Sequence, residues 1–427
     1  MINMENNFQI NVQSNIQIIF IFFCVSKLLI QLYLNRRNFY YLKKHYHFVP
    51  DFFKALTELS VHQKSINYSC AKLNVSFVSS ILQFIFILFW LPWGGLNWLQ
   101  SSIVDYFGQQ NEILFGLCLF GLFAIISFFL ELPETIYSTF FLEEKFGFNQ
   151  STPKIFLMDL FKQALLFIIL GLPILSAIIY LFEASGEFWY LYAWIFLTLI
   201  QLTLIWAYPR IFAPIFNKFT PLGDGELKNK ILELANKTSF STKDIFIMDA
   251  SKRSKHGNAY FTGLGKYKRV VFFDNLINQL NSDELVAILA HEIGHFKKKH
   301  IVKGLLISLI SSFVTLFLMA QLTGFEEFYS GHFVDFNGAS ITLLLFSMIF
   351  PQYVFLITPL SNWFSRKNEY EADEYAAKYS SGEMLISGLV KLYRENASSL
   401  VIDSWYSHFY YSHPAAYERI QFLRSKK

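Results

Sequence analysis

The sequence predicts an all-α polytopic membrane protein of seven transmembrane helices, with a small α+β region on the cytoplasmic side. Three observations carry that expectation. Hydrophobic residues make up 53% and charged residues only 16% of the 427, against about 25% charged in soluble chains. The apolar residues fall in runs long enough to span a bilayer, which needs about 20 helical residues. The basic residues sit almost entirely in alternate connections between those runs.

The runs are 16–34, 75–93, 113–132, 164–182, 189–208, 304–322 and 340–360. One such run alone would fit a buried core helix, and the first would fit a cleaved leader. Seven with aromatic or charged flanks exclude the former as a general account, and no basic residue precedes the first. The tail before the first run and the segments 92–112, 183–188 and 323–339 contain no Lys or Arg. By contrast 35–74 holds seven, 209–300 fifteen and 361–427 nine of the 36 basic residues. Positive residues mark the cytoplasmic face. The N-terminus is therefore expected outside or in a lumen, and the C-terminus in the cytoplasm. The minor exceptions are Lys145, Lys154 and Lys162 in the third connection, with Lys27 and Lys303 in or beside a span.

Cys24, Cys70 and Cys118 are too few and too scattered for a disulfide framework. The sequons at Asn67, Asn74, Asn149, Asn236 and Asn396 fall at or inside cytoplasmic segments, so they are read as unglycosylated. The chain divides into 1–208, with five spans, and 209–427, which contains a polar body and two further spans. Within the body, 228–238 reads as a helix by its Ile231, Leu234 and Ala235 face. Short β runs are expected at 245–248, 259–262 and 269–273, with Gly263 and Gly265 marking a turn between the last two. The next helix has a clear start, with Asn281 as cap and Glu284 completing a capping box. Leu285, Ile288, Leu289, Ile293 and Phe296 then form its apolar stripe.

On a neighbouring face stand His291 and His295 of His291-Glu292-Ile293-Gly294-His295. Two imidazoles at i and i+4 project from one side of a helix and reach a single zinc ion at about 2.0–2.1 Å. Glu292 lies beside the open coordination position, placed to take a proton from the attacking water and pass it to the leaving amine. A catalytic zinc needs a third protein ligand. A further histidine six residues after His295 would supply it in one common pattern, but position 301 is Ile and His300 is one place off. The better source is Arg366-Lys367-Asn368-Glu369-Tyr370-Glu371-Ala372-Asp373. There Glu369 and Asp373 lie one turn apart and Glu371 is a rival. One carboxylate can bind metal while another holds a ligand histidine by its second nitrogen.

The segments 291–300 (HEIGHFKKKH), 365–373 (SRKNEYEAD), 256–263 (HGNAYFTG) and 412–420 (SHPAAYERI) resemble signature segments of the type I CaaX prenyl protease family. Two more, 143–152 (EEKFGFNQST) and 214–222 (PIFNKFTPL), resemble others of its segments, in unbroken order from about Phe39 to the C-terminus. The resemblance implies seven helices enclosing a chamber, with a gluzincin-like zinc-peptidase region opening into it near the cytoplasm. It implies Glu369 as the third ligand beside His291 and His295, with Asp373 behind them. Asn258, Ala259 and Tyr260 would be the edge strand that pairs with an extended peptide. His413 and Arg419 would stand near the catalytic centre, His413 as a donor to the developing oxyanion.

The expected activity is thus zinc-dependent endoproteolysis near the C-terminus of prenylated CaaX-type proteins, with one Zn2+ per chain. The expected partners are a peptide or protein substrate and the lipid bilayer, not nucleic acid. A quality-control membrane metalloprotease without prenyl specificity would use the same residues. A seven-span transporter or scaffold is the third reading, with Lys27 as a conceivable mark of a substrate path. Bacterial inner membrane and endoplasmic reticulum both suit the topology.

Overall fold

A computed structural model describes residues 2–54, 57–107, 111–240, 244–262 and 269–426. Among these, seven helices are long and apolar enough to cross a membrane: Gln9–Lys44, Leu59–Trp90, Glu112–Phe146, Pro153–Ala184, Gly186–Phe216, His300–Leu322 and Ala339–Tyr379. Each contains one predicted run, except that the second helix stops at Trp90 and leaves the last three residues of 75–93 in a turn. The helices are 23 to 41 residues long, because their polar ends continue the backbone ladder beyond the hydrocarbon layer. Phe22, Phe129, Phe161, Leu199 and Ile310 are all more than half exposed, an apolar surface of the kind that lipid covers on membrane helices. Phe20, Trp90, Leu119, Ala193 and Leu345 pack between the helices. Lys27 donates to Gln352 Oε1 at 3.1 Å and lies 5.7 Å from the Phe355 ring, so a polar partner from the seventh span accommodates its charge.

The seventh span runs well past its apolar stretch. Residues after 360 are polar, yet the helix passes through Pro351 and the tight turn Phe355–Ile357 and runs on as Thr358–Tyr379. Glu369 and Asp373 therefore ride on a stiff extension of a membrane helix.

The sheet consists of β1 (Phe219–Pro221), β2 (Asp244–Met248), β3 (Ala259–Thr262) and β4 (Arg269–Phe273), in spatial order β1-β2-β4-β3. β2 and β4 are parallel, and the outer two strands pair antiparallel to their neighbours. Three strands fall where the sequence places them. β1 escapes because three residues ending in Pro221 show no period, and only an edge tolerates a residue lacking N–H. The expected turn at Gly263 and Gly265 lies outside the described residues.

The helix Glu226–Lys237 buries Ile231, Leu234 and Ala235 as its pattern requires. Ile231 and Leu234 join a core with Val270 and Phe272 of β4, Leu285, Leu289 and Ile293, and Ile420 and Leu423 near the C-terminus. Burial of each large apolar side chain there contributes roughly 1.5–3 kcal/mol.

The motif helix, Ser282–Lys297, begins with the predicted capping box. Asn281 Oδ1 accepts from the Glu284 N–H at 2.9 Å, and Glu284 Oε2 accepts from the Asn281 N–H at 3.0 Å. Glu284 also accepts from Ser387 Oγ at 2.6 Å and Lys391 Nζ at 2.8 Å, tying the cap to the helix Gly382–Glu395. One turn before its end, Gly294 faces the seventh-span extension so closely that an added methyl would stand 3.0 Å from both Ala372 Cα and Tyr375 Cβ. This close approach brings the two chemistry-bearing helices together.

Burial alone would raise the Glu284 carboxyl, but Lys391, Ser387 and the Asn281 N–H overcome it and hold it below the ordinary value. A depressed folded value gives stability that is complete above the unfolded glutamate pKa of about 4.3 and is lost as pH falls through the folded one. Glu284→Gln should therefore lower stability at pH 7 by about 1–3 kcal/mol. Followed by thermal unfolding in detergent, the gap to wild type should close as pH drops below about 4. A gap of constant size from pH 7 to pH 3 would contradict this role.

Candidate metal centre

Helical spacing sets His291 and His295 one turn apart, with ring centroids 4.8 Å apart and planes at 81°. Their Nε2 atoms face each other at 3.2 Å. Glu369 enters from the seventh-span extension, its Oε2 3.4 Å from His291 Nε2 and its Oε1 3.2 Å from His295 Nε2. Among the described residues these three form a metal-competent group, their donor atoms all within 4.8 Å of one another. Tetrahedral zinc with bonds of about 2.0–2.1 Å sets ligand atoms about 3.3 Å apart, so the spacing fits such an ion. Glu369 Oε2 is buried and makes no hydrogen bond. A buried carboxylate oxygen without a hydrogen bond is costly in the interior; Arg419 Nη1 lies 3.7 Å from it, and a cation between it and the two imidazoles would satisfy it directly.

The His291 ring is held from behind. With Nε2 turned toward the ion position, Nδ1 carries the proton and donates it to Asp373 Oδ1 at 2.8 Å. Asp373 is in turn gripped by Arg419, whose Nε and Nη2 donate to its two oxygens at 2.9 and 2.6 Å. Arg419 Nη2 also lies 3.3 Å from His291 Nδ1, but two donors cannot bond each other, so Asp373 is the shared acceptor. Burial works against a charged His291, yet the Asp373 and Glu369 carboxylates outweigh it and push the imidazole up to about 9. The pocket thus holds more negative charge than Arg419 neutralises, and calls for a further cation. Arg419 itself is held above its ordinary value by Asp373 despite its burial.

His295 has a support that the sequence did not reveal. Its Nδ1 lies 3.0 Å from His300 Nδ1, and His300 Nε2 lies 3.1 Å from Glu371 Oε2. The motif helix ends just before, and Lys299 takes a left-handed conformation (φ 59°) that starts the sixth span in a new direction. That turn breaks the helical phase and swings His300 back beside His295. Glu371, the rival ligand, faces His300 instead of the metal pocket.

Glu292 is half-buried, and among the described residues its carboxylate has no hydrogen-bond or ion-pair partner, which leaves it free for a water. His413 is 62% exposed at its side chain, with Nε2 3.3 Å from Glu369 Oε1 and Nδ1 3.0 Å from Ser412 Oγ. It therefore reaches the open side of the pocket. Arg419 does not: it is 5% exposed, its hydrogen bonds go to Asp373, and its Nη1 lies 3.7 Å from Glu369 Oε2. β3, carrying Ala259 and Tyr260 after Asn258, is an edge strand whose inner side pairs with β4. Phe261 anchors it to the motif helix, its ring 5.8 Å from that of Phe296. Burial holds the Tyr260 phenol up at about 12, neutral at any working pH.

Removing one member of a buried pair leaves the other charge uncompensated, at a cost of about 3–5 kcal/mol. Arg419→Met should lose that much stability. The double variant Arg419→Met, Asp373→Asn should lose clearly less than the sum of the two single changes. Additive losses in a thermal or denaturant double-mutant cycle would show that the pair does not act as one unit.

Comparison with known proteins identifies the family. A family model described as CAAX prenyl protease N-terminal, five membrane helices, matches residues 38–218, and that of peptidase family M48 matches 221–427. The CAAX prenyl protease 1 of Saccharomyces cerevisiae is 36% identical over 384 residues, covering 84% of this chain and 85% of that protein. The CAAX prenyl protease 1 homolog of Homo sapiens is 33% identical over 423 residues, covering 89% of each. The crystal structure of S. mikatae Ste24p superposes with a TM-score of 0.89 at 32% identity, covering 96% of this chain and 99% of that one. With its seven membrane-spanning helices and its His-Glu-Ile-Gly-His helix, the chain belongs to peptidase family M48 and is a multi-pass membrane metalloendopeptidase.

Proposed function

We propose that the chain is a zinc-dependent endopeptidase that processes the C-termini of prenylated CaaX-type proteins. Its site would lie on the cytoplasmic side, with the N-terminus outside or in a lumen. The observation that carries the reading is the convergence of His291 Nε2, His295 Nε2 and Glu369 within 4.8 Å, with an unpartnered Glu292 alongside. The CaaX specificity draws on the names of the relatives and on the motifs shared with that family. The functional division is into 1–208, a membrane region, and 209–427, the peptidase region with its two spans, and the helices are taken to enclose a chamber.

His291, His295 and Glu369 would hold the ion, and Asp373 would fix the His291 ring so that its Nε2 faces it. Bound there, zinc supplies Lewis-acid polarisation of the scissile carbonyl and lowers the pKa of the attacking water. Glu292 takes the proton from that water and returns it to the leaving amine. His413, on the open side, donates to the oxygen on which negative charge develops. Arg419 acts through Asp373 as a positioning residue and makes no contact with substrate. The edge of β3 at Asn258, Ala259 and Tyr260 holds the peptide extended by main-chain hydrogen bonds.

Purified protein should contain about one zinc per chain, and Glu292→Gln should retain it while losing cleavage by several orders of magnitude. Full activity in that variant would overturn the mechanism. Asp373→Asn should weaken zinc affinity about 10–100-fold, read by competition with a chelating dye. A farnesylated peptide should be cut much faster than its unmodified twin, and equal rates would point instead to a protease without prenyl specificity.

A further inference from the structure

β3 runs from the His256 end toward Thr262, with its outer edge open to an added strand. Antiparallel pairing, the commoner kind, would send the C-terminal residues of a bound peptide back toward His256. Two cavities lie in that direction. The nearer, of about 320 Å³, is lined by His413, Tyr393, Ser399 and Tyr411. The farther, of about 500 Å³, shares the last three of these and adds Lys72, His256 and Asn396. They form one tract from the metal pocket, where His413 touches Glu369, to Lys72 on the second span. Tyr393 marks the junction. Burial holds its phenol up, and Arg419, Asp373 and Glu369 all lie near enough to act on it.

The far cavity has a one-sided charge. No Asp or Glu lines either cavity. Lys72 is accessible there, and among the described residues its ammonium has no ion pair or hydrogen bond. It lies over the face of Tyr68, 5.0 Å from the ring centroid, and near enough to Glu143 to act on its carboxyl. The nearby acid that could neutralise it, Glu143, is already engaged. One of its oxygens accepts from Tyr68 Oη, and the other lies 3.2 Å from His256 Nε2. The wall beside it is fixed as well. Asn396 accepts from the Gly257 N–H at 2.9 Å and donates to the Gly257 carbonyl at 3.1 Å. Hydroxyls of Ser69, Ser76 and Ser398 complete the lining. An accessible ammonium among hydroxyls, in a cavity that no Asp or Glu lines, can take up an anion.

We propose that this tract binds the C-terminal end of the peptide substrate and that Lys72 captures its free carboxylate. The inference rests on the C-terminal processing reading and deepens it. The edge strand holds the backbone without regard to sequence, whereas Lys72 measures distance from the chain end. An extended chain advances about 3.3–3.6 Å per residue, so the span from the metal pocket to Lys72 would set how far from the chain end the cut falls.

The test uses a fluorescent tripeptide of aliphatic residues, ending either in a carboxylate or in an amide, bound to full-length metal-loaded protein and read by polarisation. A charge-assisted hydrogen bond corresponds to about 10–100-fold in affinity. Wild type should bind the acid at least about tenfold more tightly than the amide, Lys72→Gln should reduce the ratio to near one, and Lys72→Arg should keep most of it. A wild type indifferent to the end group overturns the proposal, and so does an equal loss of both ligands in Lys72→Gln. This binding readout needs no prenyl group. Loss of farnesyl preference in the cleavage assay would remove the CaaX reading while the acid-to-amide ratio still decides the role of Lys72.

Discussion

Asp373 stands between His291 and Arg419, and the geometry of the peptidase region depends on that buried contact. It joins a helix of the polar body, the extension of the seventh membrane helix and the last helix of the chain. Each partner would be unfavourable alone: a carboxylate 0% exposed, a buried guanidinium, and an imidazole turned toward two anions. Together they satisfy one another, because Asp373 has enough lone pairs to accept from both donors. The same contact settles which His291 nitrogen carries a proton, and so which is free to face Glu369.

The membrane helices do more than anchor the protein. Glu369 and Asp373 belong to a 41-residue helix that begins in the membrane, so the carboxylates are held with the stiffness of a span. The motif helix is pinned to that extension through the Gly294–Ala372 approach, and at its start by Glu284 on Ser387 and Lys391. The last motif residues then turn at Lys299 directly into the sixth span. The pocket is thus clamped between two membrane helices and a four-stranded sheet. One sheet edge stays open beside it, and a polar tract leads away toward the second span.

Much of this was legible from residue order. Lipid as solvent forces apolar runs of a fixed minimum length, which is why all seven spans were found. The capping box at Asn281 and the Ile231–Leu234 face were also visible, because they are set by neighbours within a few residues. What escaped was non-local. β1 is too short to show a period, and nothing in the sequence shows that β2 and β4 lie side by side. The place of His300 beside His295 was hidden because a left-handed residue, Lys299, interrupts the helix between them. Arg419 could be assigned to the site, but its grip on Asp373 joins positions 46 residues apart. Lys72 was one basic residue among several in its connection until folding brought it to a cavity without acids.

By itself, the sequence determined the number of spans and the helix that presents His291, Glu292 and His295. It could do so because the 3.6-residue turn dictates which side chains share a face, whatever surrounds the helix. It could not choose between Glu369 and Glu371 on spacing alone, since both lie within reach of a plausible site. Residues two apart point about 200° apart around a helix, so only one can face the histidine pair. The packing of Ala372 against Gly294 decided that rotation, turning Glu369 and Asp373 inward and Glu371 toward His300.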